Sequence, residues 1–296
     1  MPTHLRRRRA PRVRGPGRRV GLRARRALRG GPVSDTVSEL LRGASTQARV
    51  VYALALRETR TRFGQHQLGY LWAMLEPMFW ILTFWGLFAI VDRDTPMGME
   101  VIPFLATGVI PYELATKTAD RVSLSVEGNR ALLFYPHVHP LDLVFARGGL
   151  EVATYLVVFV TILGGHALAV QHFAVEDALR VLVGLGLAGL FGLALGTVLC
   201  ALSIINNATQ RIKGPVMRPL FWISGLFFTA NALPSHIREY FLWNPIFHCV
   251  EIVRDGWFTQ YHAAYASPGY VLAWTIVLLF IGLTLERRVR ARVQLT

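Results

Sequence analysis

The stretch Arg57–Val91, RETRTRFGQHQLGYLWAMLEPMFWILTFWGLFAIV, decides how this chain is read. A basic, helix-compatible segment runs without a linker into an aromatic-rich apolar one, with a single acid, Glu76, followed by Pro77 at the crossing. Leu68 to Val91 makes about 36 Å of helix, enough to cross a bilayer hydrocarbon core of about 30 Å. It carries Tyr70, Trp72, Phe79, Trp80, Phe84, Trp85 and Phe88. An interfacial belt would put tryptophans at the span ends, and Trp80 and Trp85 lie too deep for that alone.

Composition agrees with a chain that enters a membrane. Of 296 residues 53% are hydrophobic, and mean hydropathy is +0.38. Apolar stretches of spanning length recur at loop-sized intervals, which predicts an integral membrane protein. The net charge of +14 sits in residues 1–62, which hold 17 arginines against 3 acids, while the rest balances 15 bases against 15 acids. Two cysteines, Cys200 and Cys249, are too few for a disulfide framework and lack metal-ligand spacing, so both are expected as small buried residues.

Upstream of the opening stretch, residues 1–33 hold twelve arginines, no acid and many Gly and Pro. Such a segment cannot build a core, which predicts a disordered arm. No apolar region follows the arginines, so a signal peptide is not expected. A basic tail on anionic lipid is favoured over a nucleic-acid-binding arm, because no folded nucleic-acid module follows. A start of translation near Val33 or Val37 is a further alternative. From Thr36 to Thr61 apolar residues at Val37, Leu40, Leu41, Ala44, Ala48, Val51, Tyr52 and Ala55 have helical spacing, with Thr36 and Glu39 as a capping box. The opposite face is basic, which predicts an amphipathic helix in the cytoplasmic interface.

Downstream, the body 34–296 reads as all-α, with six transmembrane helices at about 68–91, 101–119, 148–170, 181–205, 216–233 and 268–285. The second is bent at Pro103 and Pro111, and Glu113 and Lys117, four residues apart, suggest a local ion pair. Ser123–Pro140, SLSVEGNRALLFYPHVHP, is too polar to span and predicts a short surface helix over 124–134. In the fourth span Gly184, Ala188, Gly192 and Gly196 place a small residue at every fourth position, which lets helices approach closely. Pro234–Ser267 alternates aromatics with Glu239, Glu251, Arg254 and Asp255 and can neither span nor float free. A re-entrant or interfacial pair of helices between spans five and six fits it. The last span stops at Arg287, Arg288, Arg290 and Arg292.

Orientation follows from bases on alternate sides. With both termini cytoplasmic, the loops and tail put eleven inside (Lys117, Arg121, Arg130, Arg147, Arg211, Lys213, Arg218 and the four tail arginines) against four outside (Arg93, Arg180, Arg238, Arg254).

The chain has no GxxxxGK[ST], no HExxH, no nucleophile elbow and no paired catalytic carboxylates on facing spans, so an enzyme is not expected. Glu76, Glu113 and Glu151 lie near span ends, which argues against a deep carboxylate relay for ion coupling. Deep aromatics beside surface helices suit another scheme. Sugar rings stack their apolar faces on Trp, Tyr and Phe, so an aromatic path passes a hydrated glycan through weak contacts, with energy supplied from outside.

Three blocks carry a resemblance to a known family: RTRFGQHQLGYLWAMLEPMFWIL, TGVIPYELATKTADRVSLSVEGNRALLFYPHVHPLDLVFAR and RPLFWISGLFFTANALPSHIREYFLWNPIFHCVEIVRDG. They resemble the membrane subunit of ABC-type exporters of capsular polysaccharide, within the wider permease family for O-antigen and teichoic acid. The likeness covers roughly Thr36 to the C-terminus; the arm 1–33 is longer and more basic than the family pattern. It implies a homodimer forming one channel in the inner membrane, with a separate nucleotide-binding subunit that holds ATP-Mg; no cofactor is expected on this chain. It also implies a lipid-linked capsular polysaccharide as substrate, periplasmic and outer-membrane export components as partners, and no nucleic acid. By the same resemblance 124–134, with Glu127, Gly128, Asn129 and Arg130, looks like the coupling helix, and 234–262 like outward re-entrant helices. The candidate path residues are Tyr70, Trp72, Glu76, Trp80, Phe84, Trp85 and Trp222. The alternative from another class is a membrane-embedded glycosyltransferase or ligase acting on lipid-linked sugars.

Overall fold

The computed structural model describes residues 32–63, 69–135, 138–171, 175–206 and 208–293, and every regular element among them is helical. The chain divides into two compact units, residues 1–48 and 49–296. Helix α1 (Pro32–Phe63) begins a turn before the expected capping box, with proline, which suits a helix's first turn, at its start. In the first unit the Ser45 and Thr46 hydroxyls donate to the Arg42 carbonyl at 2.9 and 3.0 Å. In the second unit α1 half-buries Val50, Val51, Leu54, Ala55, Glu58 and Thr59, a stripe at helical spacing, and exposes Tyr52 and Leu56.

The second unit continues through α2 (Gly69–Val91), α3 (Val101–Ser123), a 3₁₀ segment (Glu127–Phe134), α4 (Pro140–Val170), α5 (Ala178–Ile205) and α6 (Ala208–Ile223). It ends with α7 (Ser235–Phe241), α8 (Pro245–Trp257) and α9 (Pro268–Val293). Four stretches are long and apolar enough to cross a membrane: Ala73–Val91, Pro140–Val170, Ala178–Ile205 and Pro268–Val289. The remaining two expected spans are the polar ones. Helix α3 is buried continuously from Pro103 to Ala115, so protein rather than lipid surrounds its polar groups.

Helix α5 is the hub, packing on α3, α9, α8 and α4. The small residues read from the sequence are what allow this. A Cβ on Gly192 would overlap the backbone carbonyl of Ala115 in α3, and one on Gly184 would lie 3.0 Å from the Val253 backbone nitrogen in α8. Gly196 sits equally close to Val122, and Ala188 is fully buried. Close backbone approach is how membrane helices gain packing without a hydrophobic driving force between them.

Several boundaries differ from expectation. Helix α4 starts at Pro140 rather than near 148, because His139 and Asp142 form a reciprocal capping box there. The surface segment is a 3₁₀ helix over 127–134, and α3 itself runs on to Ser123. The stretch expected as one span over 216–233 is α-helical only as far as Ile223, with α6 reaching back to Ala208 and a short 3₁₀ turn at Ala230–Ala232. The chain then breaks at Gly225, whose φ of +77° lies in the left-handed region that glycine adopts without strain.

Polar contacts gather at two ends of the second unit. At one, the Asp177 amide donates to the Gly256 carbonyl at 2.9 Å, Arg180 pairs with Asp255 at 2.6 Å, and Arg93 donates to the Phe227 carbonyl at 3.3 Å. At the other, Lys213 pairs with Asp120, Arg147 pairs with Glu58 at 3.0 Å, and Arg121 lies 3.7 Å from Glu151.

Candidate functional site

Glu76, Trp80 and Phe84 recur every fourth residue along α2, so they share a face. That face meets α3 and α6. Glu76 forms an ion pair with Lys117 of α3, and both side chains stay about one-third exposed. The single acid at the entry to the first span thus has its partner on the next helix. Lys117 was expected to pair locally with Glu113, but Glu113 is buried and accepts from the Tyr155 hydroxyl of α4 at 3.4 Å.

One turn beyond the ion pair the rings begin. Trp80 stacks on Phe84 with centroids 5.8 Å apart and planes 17° apart. Phe221 of α6 touches Trp80 at 5.7 Å, Phe84 at 5.8 Å and Tyr112 of α3 at 5.4 Å, and Phe227 sits 4.4 Å from Phe84. Trp222 extends the group through Phe221 and Phe227. Phe84 is 8% exposed and acts as packing, whereas Trp80 at 38% and Trp222 at 63% present ring surface outward. The face therefore offers a charged level and, above it, an apolar ring surface.

Of the expected path residues, the structure brings Glu76, Trp80, Phe84 and Trp222 together. Trp85 points elsewhere: it is 46% exposed and has no ring partner among the described residues. The side chains of Tyr70 and Trp72 lie outside the described residues. Tyr112, Phe221 and Phe227 join the site without having been singled out, and Lys117 joins it with a partner other than the expected Glu113. Phe221 had a signal: Phe–Trp pairs occur at 79–80, 84–85 and 221–222, and the structure puts the first and third side by side.

A second group lies in the 3₁₀ segment. Glu127, Gly128 and Arg130 are exposed, and Asn129 is buried. Asn129 accepts from Arg57 Nη1 of α1 at 3.1 Å and donates to the Ser125 carbonyl at 3.0 Å. Gly128 lies against Arg147, the α4 residue paired with Glu58 of α1. Asn129 is thus an anchor, and Glu127 and Arg130 are the groups free to meet a partner.

A third group was missed as such. Arg254, counted from sequence as an outer loop charge, is fully buried in α8. Its guanidinium donates to the carbonyls of Gly225 (2.6 Å), Leu226 (2.9 Å), Phe228 (2.9 Å) and Phe104 (3.4 Å) and lies over the Phe104 ring at 4.1 Å. Glu251, 3.6 Å away, accepts from the Ala230 amide and the Tyr261 hydroxyl. A planar five-donor cation satisfies a run of non-helical carbonyls that would otherwise be stranded. It fixes the turn that ends α6 and hence the position of Trp222 and Phe227.

This is a helical membrane protein, and the outward features of its described residues include an aromatic face and a tethered surface segment. Residues 49–258 match the family described as ABC-2 type transporter, and the chain belongs to that family. Members are membrane components of ABC transporters, in which a separate nucleotide-binding partner uses ATP. The chain is 32% identical over 245 residues to the polysialic acid transport protein KpsM of Escherichia coli, covering 83% of this chain and 95% of that one. It is 31% identical over 244 residues to the capsule polysaccharide export inner-membrane protein BexB of Haemophilus influenzae, covering 81% and 91%. A third relative, the capsule polysaccharide export inner-membrane protein CtrC of Neisseria meningitidis, is 27% identical over 242 residues, covering 82% and 91%.

Proposed function

We propose that the chain is the permease subunit of an ATP-driven exporter that moves lipid-linked capsular polysaccharide across the inner membrane, from cytoplasm to periplasm. The observation that carries this is the near full-length similarity to polysialic acid and capsule polysaccharide export proteins. The exposed rings of Trp80 and Trp222 support a path on the α2–α3–α6 face, because they offer weak stacking surface for sugars. In this reading two copies enclose one channel, and the pore-facing surface of each is that face. Tyr70, Trp72 and Trp85 are assigned to the path only in the sense that they share α2.

The reading extends to topology. Six passes are α2, α3, α4, α5, α6 with its following turn, and α9, with both termini cytoplasmic, and α7 and α8 re-enter from the periplasmic side. The charge distribution supports this, since the end with Arg57, Arg130, Arg147 and Lys213 is the richer in bases. Glu127–Arg130 receives the motion of the ATPase, and the bonds of Asn129 to α1 and of Arg147 to Glu58 pass it on. The arm expected over residues 1–33 lies, but for its last two residues, outside the described residues, and periplasmic and outer-membrane components continue the route.

Deleting the gene in its own host tests the function. Lipid-linked polysaccharide should accumulate in the cytoplasm and disappear from the surface, and the full chain should restore it. Unchanged surface polysaccharide, with none retained inside, would contradict the proposal.

A further inference from the structure

Helix α6 carries a second pattern that neither the ring cluster nor the ion pairs absorb. Its inner half is tied down on one side: Lys213 pairs with Asp120 and donates to Ser123 Oγ at 3.0 Å, and Gln210 donates to Ser203 Oγ at 2.7 Å. On another side Arg211 and Arg218 are exposed and have no ion-pair or hydrogen-bond partner among the described residues. Seven residues apart on a helix, they lie about 10 Å apart along one face. Gly214 falls between them with nothing within 4 Å of where its Cβ would be, so the face is notched between the two cations. Trp222, one turn beyond Arg218, continues the same stripe with its exposed ring.

Depth makes this unusual. Lys213 faces Asp120 and Phe221 faces Tyr112, so Arg218 lies between the charged level and the rings, at the height of the second helix's apolar core. In the six-pass reading proposed above Arg218 falls within the fifth pass, where an unpaired cation is costly unless water or an anion meets it. The basic side chain at the level below has its carboxylate; Arg218 has none.

We propose that Arg211, Gly214, Arg218 and Trp222 form a binding stripe for the anionic, phosphate-bearing head group of the lipid-linked glycan, the two arginines holding the phosphate and Trp222 the first sugar. The choice of occupant rests on the export function proposed above and on charge complementarity. A guanidinium matches a phosphate with two parallel hydrogen bonds, and the ring surface next to it suits a sugar rather than a second acyl chain. The spacing places the anion at the inner mouth and its glycan towards the ring cluster, so the stripe selects the lipid end of the substrate first.

The test uses the full chain in nanodiscs of phosphatidylcholine, with binding followed by native mass spectrometry. Two probes are titrated: phosphatidylglycerol, and phosphatidylglycerol bearing a short oligosaccharide on its head group. Both should bind, the glycosylated probe more tightly. Arg218→Gln should weaken both by about tenfold, the effect of losing one charge-assisted pair. Arg218→Lys should recover part of that, and Trp222→Ala should remove only the preference for the glycosylated probe. Equal binding in wild type and in the double variant Arg211→Gln/Arg218→Gln would overturn the stripe. Arginine-dependent binding with no preference for the sugar, and no effect of Trp222→Ala, would mean bulk phospholipid only and would overturn it too. Because surface polysaccharide in the host is scored separately, failure here while deletion of the gene still abolishes export removes the stripe alone, whereas unchanged surface polysaccharide on deletion removes the function itself.

Discussion

Arg254 makes the most demanding set of contacts of any single residue. Among the described residues it is the largest fully buried side chain, and four backbone carbonyls from two separate segments depend on it. Arg254→Met should lower stability by about 3–5 kcal/mol, because it strands Glu251 and the carbonyls of the 225–228 turn without partners. Arg254→Lys should recover less than half, since an ammonium cannot fork across several carbonyls. Thermal unfolding of the purified chain in detergent measures both, and an unchanged midpoint for Arg254→Met would remove the clamp. The tryptophans of α2 separate in the same way. Trp80→Ala should slow export several-fold, because its exposed ring sits in the cluster with Phe221, while Trp85→Ala should leave export near wild type. Export rates of the two variants measured side by side decide this.

At the scale of elements, the packing of α5 was legible and the end of α6 was not. Gly184, Ala188, Gly192 and Gly196 announce a close approach by their spacing alone, and the structure seats α3 and α8 on them. Gly192→Leu should therefore block folding, since the side chain would overlap Ala115, with overpacking costs of about 1–3 kcal/mol or more. Gly186→Leu on the same helix, with open space at its Cβ, should be tolerated; the yield of folded protein in the membrane compares them. The break after Ile223 could not be read locally, because the donor that satisfies its carbonyls lies in α8, 29 residues downstream of Gly225. The same limit applies to Glu76, whose partner Lys117 is 41 residues away, while a nearer and misleading partner, Glu113, stands four residues from that lysine. Composition marked the 124–134 segment as a surface element but could not show that Asn129 is anchored inside it. Arg130→Glu should abolish export and stimulation of the ATPase while membrane insertion stays intact, and assays of the assembled complex would show it. Wild-type export by that variant would take the coupling role from the segment.

For the whole molecule, four apolar helices were plain in the sequence because their surroundings are lipid or apolar protein. The polar helices were harder to place: α3 was read as a bent span, α6 only as part of a span over 216–233, and α8 as part of a re-entrant or interfacial stretch, since each takes its meaning from side chains it meets in three dimensions. α3 places Glu113 beside Tyr155 and Lys117 beside Glu76; α8 buries nearly every residue from Ile246 to Trp257. Together with α2 they hold a charged level below a ring surface, a layout that suits passing a substrate. The account's central claim is that this chain moves a lipid-linked glycan using energy delivered by a separate ATPase. Reconstituting the full chain with its nucleotide-binding partner in proteoliposomes, with fluorescent lipid-linked capsular oligosaccharide on the ATPase side, tests that claim most directly. The account predicts ATP-dependent appearance of the glycan on the opposite side, lost when the ATPase is omitted. Transport by the chain alone, or ATP hydrolysis by an assembled complex with no movement of the glycan, would contradict it.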